Sequence, residues 1–192
     1  MSFILTDQLV GIYLAPIRPQ SAESLLELRL RNRSVHSRYE PKREESFFTL
    51  NGQKQLILQR MEEEELDRAY MFGIYSSEEE CLIGQITINN IVRGVGQFAD
   101  LGYFIDYAQQ GRGYMTGAVG LAANYAFQSL GLHRLQAAIL LHNDASRRVL
   151  EKNGFQAEGI ARRFLKIDGQ WQDHRTYALL ADEVTSEGNR TM

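Results

Sequence analysis

Cysteine occurs once in the 192 residues, at Cys81, so no intramolecular disulfide can form. A chain without disulfides suits a reducing compartment, and the cytosol is expected. Cys81 opens the apolar run Cys81-Leu-Ile-Gly-Gln-Ile-Thr-Ile88, which reads as a buried strand with the thiol as a small core group. Long hydrophobic runs are also missing. None approaches the roughly 18 apolar residues of a membrane span. Residues 1–14 have neither a basic leader nor a small-residue cleavage site, so no signal peptide is expected. Charge is not piled on one sign: 21 Lys and Arg against 24 Asp and Glu leave a net charge of −3. That balance disfavours a general binder of nucleic acid or anionic membrane, although a local basic patch is compatible with it. His36, His133 and His174 form no ligand spacing, so no metal is expected. There is no repeat, no linker rich in Pro, Gly or Ser, and no low-complexity tract. With 44% apolar residues, the chain reads as one domain over 1–192 that can bury a core unaided. Its polar tail, 185–192, is expected to fray.

What is present is a change of period along the chain. Residues 10–17 read as a strand. Pro19, Gln20 and Ser21 break it and open a helix to about Asn32, with Leu25, Leu26, Leu28 and Leu30 inside. Residues 36–48, with Pro41, read as a loop or broken helix, and 51–66 as a second helix. The run Glu62, Glu63, Glu64, Glu65 in that helix reads as a solvated face. Segments 70–75, 81–92 and 97–106 then alternate as strands joined by turns at 76–80 and 93–96, an antiparallel meander. A Gly-rich segment leads into a helix over about 113–130. Met115, Val119, Ala122 and Ala126 line one face of it, and Gly131 stands past its end. A strand over 133–141 and a short helix over 144–153, closed by Gly154, follow. Segments 155–166 and 171–180 form a final hairpin over Asp168-Gly169. The order predicts an α+β layout around one mixed sheet.

Two segments carry chemistry. In Gln110-Gly-Arg-Gly-Tyr-Met-Thr116 a strand runs through glycines into a helix. The first helical turn offers unpaired N–H groups and a positive dipole end, and glycines let a phosphate come close. The same segment is equally a Gly-rich turn with no ligand. It is neither a P-loop nor a dinucleotide GxGxxG motif. The second segment is Asn143-Asp-Ala-Ser-Arg-Arg-Val-Leu-Glu-Lys-Asn-Gly-Phe155. Asn143 ends a strand and Ser146 lies in the next helical turn, so both can face one slot; simple helix capping is the other reading.

The first segment resembles the acyl-CoA signature Q/R-x-x-G-x-G/A of GNAT N-acetyltransferases, with Met115 in place of the last Gly or Ala. The second resembles the N-x-x-S-x-R-V-L-E-K-x-G-F segment of RimJ/RimL members. Glu40-Pro-Lys-Arg-Glu-Glu-Ser46, Asn90-Ile-Val-Arg-Gly94, Leu101-Gly-Tyr103 and Ile167-Asp-Gly-Gln-Trp-Gln-Asp-His174 extend the likeness over about 40–180.

The resemblance implies the GNAT fold, one mainly antiparallel mixed sheet flanked by helices, with two splayed parallel strands at its centre ending at Asp106 and Leu141. It implies acetyl-CoA as cosubstrate and direct acetyl transfer to a primary amine, first of all the N-terminal α-amine of a protein such as a ribosomal protein. A small-molecule acceptor (polyamine, amino acid or antibiotic) and a non-catalytic CoA-binding or ribosome-assembly role are the other readings. Backbone groups of Tyr103, Phe104 and Ile105 would pair with the pantetheine arm. Amides of Gln110, Gly111, Arg112, Gly113, Tyr114, Met115 and Thr116 would hold the pyrophosphate. Asn143 would bind pantetheine, and Arg148 would reach the nucleotide end. Ser146 would protonate the departing thiolate, with Tyr103 and Tyr114 as second choices. Asp100 is the candidate base, although strand alternation can turn it away from the cleft. Glu40, Glu44, His142 and Asp173 would face the acceptor. Neither nucleic acid nor membrane is expected as a partner, and a homodimer is left open.

Overall fold

The computed structural model describes residues 4–187. One eight-stranded sheet organises them, in the order β1-β2-β3-β4-β5-β6-β8-β7. The strands are β1 (Leu5–Asp7), β2 (Ile12–Pro16), β3 (Tyr70–Ser76), β4 (Leu82–Val92), β5 (Phe98–Ile105), β6 (Arg134–Leu140), β7 (Gln156–Ile167) and β8 (Gln170–Leu180). The helices are α1 (Ala22–His36), α2 (Leu50–Glu65), α3 (Tyr114–Asn124), α4 (Asp144–Lys152) and α5 (Ala181–Glu187). Every strand pair is antiparallel except β5–β6. The expected mixed, mainly antiparallel sheet with a central parallel pair is therefore present.

Strand alternation gives the sheet two apolar faces. In β3, Met71 packs with Leu25, Leu28 and Ile57 of α1 and α2, while its neighbour Phe72 joins Val119 and Ala122 of α3 on the other side. In β4, Leu82 and Ile83 divide in the same way. Each such side chain contributes about 1.5–3 kcal/mol when fully buried, so both helical layers are fastened to the sheet.

The feature that positions the site is the β5–β6 pair. It is formed only by Phe98–Arg134, Ala99–Leu135 and Asp100–Gln136. Beyond Asp100, β5 stays paired to β4 as far as Ile105–Gly84, and β6 stays paired to β8 as far as Leu140–His174. Each strand is held on its outer side while the inner edges part, which leaves a wedge between them.

Some boundaries differ from the sequence reading. Leu5–Asp7 adds a short strand to β2 that three residues could not announce. α1 runs to His36 rather than Asn32, since no breaker occurs before Pro41. The expected helix over 113–130 is α-helical to Asn124 and then widens into a π-turn, Tyr125–Ser129, in which Leu130 N–H reaches the Tyr125 carbonyl at 3.1 Å. Residues 185–187 of the expected tail form the end of α5, and 188–192 lie outside the described residues.

Candidate active site

The open edge of β5 is chemically active backbone. The Asp106 N–H donates to the Ile83 carbonyl on β4 at 2.8 Å, and the Gln97 carbonyl accepts from His133, just before β6, at 2.7 Å. Alternation from these two anchors turns the N–H and C=O groups of Leu101, Tyr103 and Ile105 into the wedge. Those of Phe104 turn toward β4, so Phe104 borders the wedge without offering it a backbone pair. The Ile105 carbonyl accepts from Nε2 of His36 at 3.0 Å. Burial holds the His36 pKa below its usual 6.5, against the opposing pull of Glu40. The ring is therefore the neutral tautomer with its proton on Nε2.

Past the end of β5 the chain turns through Gly111 (φ 78°) and Gly113 (φ 83°), left-handed conformations that glycine adopts without strain. Gly113 caps α3 with no side-chain hydrogen bond, and the Gly117 N–H to the Gly113 carbonyl, at 3.0 Å, opens the helical ladder. The N–H groups of Tyr114, Met115 and Thr116 thus have no intrahelical acceptor and carry the positive end of the helix dipole. The Met115 side chain is buried in the main core, so its departure from the Gly/Ala signature leaves the backbone cradle open.

Across the wedge, the side chain of Asn143 caps α4 by accepting from Ser146 N–H at 3.1 Å. The Ser146 hydroxyl donates to the Tyr103 phenol oxygen at 2.8 Å, and that phenol points on to the Ser146 carbonyl at 3.4 Å. Burial pushes the Tyr103 pKa up to about 12, with the Ser146 hydrogen bond opposing, so the phenol keeps its proton at neutral pH.

These segments enclose a cleft of about 740 Å³ bordered by Tyr103, Phe104, Ile105, Gln110, Gly111, Gly113, Tyr114, Met115, Thr116, Asn143, Ser146, Arg148 and Glu40. Other residues expected at the site do not border it. Asp100 stands at the vertex of the wedge, its carboxylate accepting from Asn90 at 2.8 Å and from Gln136 at 3.3 Å. Arg112 is exposed in the glycine turn. Glu44 starts a 3-10 turn, Glu45–Phe48, at the surface. The His142 ring lies 6.0 Å from that of Tyr39. Asp173 accepts from the N–H of Arg163 at 2.8 Å, where β7 bulges away from β8. The cleft also gains His36, Tyr39 and Lys152, which the sequence reading had not assigned to it. A helical signal for the first existed: Arg29, Asn32 and His36 share one face of α1 at spacings of three and four. Among the described residues, no group of three His, Cys, Asp or Glu side chains could hold a metal ion.

A wedge between parallel strands, a backbone cradle at one end and a paired hydroxyl at the other suit an extended ligand with an anionic end. The family model described as Acetyltransferase (GNAT) domain matches residues 12–156. The chain belongs to the GNAT acetyltransferases. It is an N-acetyltransferase, and acetyl-CoA is its cosubstrate. This acetyltransferase is 42% identical to the Probable N-acetyltransferase YjcK of Bacillus subtilis, over 88% of this chain and 93% of that protein. It is 32% identical to the ribosomal protein uS5-alanine N-acetyltransferase of Escherichia coli, over 95% of this chain and 92% of that protein. Mycobacterium smegmatis RimJ, solved in complex with a CoA-disulfide, superposes with a TM-score of 0.87 at 27% identity, covering 95% of this chain and 87% of that one.

The residues present fit the cosubstrate. A Cβ built on Gly111 or Gly113 meets nothing within 4 Å, so the cradle is open space, and among the described residues the first α3 amides have no intrahelical or capping acceptor. Arg148 and Lys152, one turn apart on α4, border the same cleft. The acidic nucleotide end is complementary to them.

Proposed function

We propose that this acetyltransferase modifies the α-amine of a protein N-terminus, with a ribosomal protein as the first candidate, in the cytosol. The similarity to the uS5-alanine enzyme over almost the whole of both chains supports the reading. The observation that carries it is the contact between two segments distant in sequence. The Asp168 N–H, at the β7–β8 turn, donates to the Glu40 carbonyl in the α1–α2 loop at 3.1 Å. Both belong to the segments that resemble RimJ/RimL members away from the CoA signature. Together they form one rim beside the cleft that Glu40 borders, and an extended chain needs such an open-sided rim.

In this reading the pantetheine arm pairs with Tyr103 and Ile105 as an added strand. The Tyr103 N–H, turned into the wedge, stabilises the oxyanion formed when the amine attacks the thioester. The hydroxyl pair of Ser146 and Tyr103 supplies the proton to the departing thiolate. An α-amine, with a pKa of about 7.7–8.0, is partly neutral at physiological pH and needs no strong base.

The test is acetyl-CoA turnover against peptides beginning with Ala or Ser, alongside lysine, spermidine and an aminoglycoside. Higher kcat/KM for the peptides, with mass spectrometry placing the acetyl on the α-amine, is the expected result. Preference for a small amine over every peptide replaces this reading with a small-molecule acetyltransferase.

A further inference from the structure

Beside the cleft, and sharing His36 and Glu40 with it, lies a second cavity of about 180 Å³. Its inner wall includes Arg29, which is only 9% exposed. A guanidinium so deeply buried ordinarily has a carboxylate partner. Here Nε donates to the Gln53 amide oxygen at 3.1 Å and one terminal nitrogen to that of Gln85 at 2.8 Å. Among the described residues no carboxylate forms an ion pair with it. The rings of Phe47 and Phe104 each lie 4.8 Å from the guanidinium carbon. Two neutral amides and two aromatic faces therefore hold the cation in place without neutralising it, and with fewer than its five N–H donors engaged.

The mouth of the cavity adds to this field. Arg43, stacked on Phe47 at 4.7 Å, and Lys42 both line it. Arg33 lines it too but is engaged by Glu45. The remaining acids on the wall are Glu40, which also borders the acetyl-transfer cleft, and Asp168, whose N–H bonds to the Glu40 carbonyl. With Arg33 and Glu45 paired, Arg29, Lys42 and Arg43 outnumber the acids of the recess, and Glu40 stands where it meets the cleft.

We propose that this recess receives a carboxylate side chain of the acceptor, carried within the first few residues behind the amine that is acetylated. The proposal rests on the protein N-terminus reading above and names a sequence feature of that acceptor. A carboxylate matches the fork of a guanidinium, and charge-assisted hydrogen bonds of this kind are about twice as strong as neutral ones. An extended chain advances about 3.3 Å per residue, so the acidic side chain must follow the N-terminus closely to reach a neighbouring cavity.

The test uses C-terminally amidated peptides with a common N-terminal Ala or Ser and Glu, Gln or Lys at position 2, 3 or 4. At one or more positions Glu should exceed Gln by about ten-fold in kcat/KM, through KM, as a new charge-assisted contact predicts. Arg43→Glu, a surface change that spares the core, should shrink that ratio and move the preference toward Lys. Arg29→Met should abolish it, with thermal unfolding recorded to confirm folding. Equal kcat/KM for Glu and Gln at all three positions overturns the proposal and leaves N-terminal acetylation standing. So does a preference confined to the free C-terminal carboxylate of Ala-Ala over its amide. Failure to acetylate any peptide removes both readings.

Discussion

The Ser146 hydroxyl donates a 2.8 Å hydrogen bond to the phenolic oxygen of Tyr103, joining the first turn of α4 to the open edge of β5. The two hydroxyls are one unit, because each sets the other's orientation. Ser146→Ala and Tyr103→Phe should each lower kcat by about 100-fold, the scale of a positioned proton donor, with little change in acetyl-CoA affinity. The double variant should be scarcely worse than either single one. Steady-state thiol release measures the first effect and isothermal titration the second. Independent, multiplying losses would show that the two groups act separately.

At the cradle, Gly113 has φ 83° and open space where a Cβ would stand. Gly113→Val should cost about 1–2 kcal/mol in stability from left-handed strain, its Cβ meeting no atom within 4 Å. The loss of acetyl-CoA affinity should be the larger effect, since the new side chain occupies the ground a pyrophosphate would take. Chemical denaturation and isothermal titration on the same sample separate the two, and unchanged affinity in a folded variant would move the phosphate site elsewhere.

His36 gives a pH signature. Its folded-state pKa lies below the usual 6.5, through burial first, with Glu40, the Ile105 hydrogen bond and Asp106 opposing and Arg29 assisting. The unfolded chain then binds a proton at higher pH than the native one. The stability tied to the neutral ring is complete above pH 6.5 and is lost as pH falls through the lower folded value. Thermal unfolding midpoints of the parent should therefore drop more steeply below pH 6.5 than those of His36→Gln, whose amide can still donate to Ile105. Parallel pH profiles would mean that the ring is not held neutral by the fold.

The meander, the glycine cradle and the Asn143–Ser146 turn were legible because each rests on local signals: alternation, positive-φ glycines and a capping side chain. The α1 contribution was harder to see. α1 is apolar inward at Leu25 and Leu28 and polar inward at Arg29, Asn32 and His36. That switch mixes with ordinary surface polarity until the sheet shows what the polar half faces. Asn32 illustrates the point: it is buried and accepts from Tyr107 N–H at 2.8 Å, 75 residues away. Asp173 misled for the opposite reason, since a carboxylate that satisfies a bulge in the neighbouring strand looks in sequence like one waiting for a cation.

Asp100 is where sequence and geometry diverge most. On the incoming strand it is the carboxylate nearest the cleft, which makes it the natural candidate for a general base. In the fold it sits at the last paired position of the β5–β6 vertex, opposite Gln136. Its side chain emerges on the face of β5 opposite that of Tyr103, and it does not border the cleft. Both carboxylate oxygens accept from side-chain amides, one from Asn90 and one from Gln136. These bonds bridge β4, β5 and β6 just where the wedge begins. We therefore expect Asp100→Asn to behave as a structural change. It should cost about 1 kcal/mol in stability, since an amide in its place cannot accept from both donors on equal terms. The fall in kcat should be less than ten-fold, with the acid limb of the pH–rate profile unmoved. A loss of a hundred-fold or more, together with disappearance of that limb, would make Asp100 the base after all and would require the acceptor to approach from the α1–α2 face of the sheet.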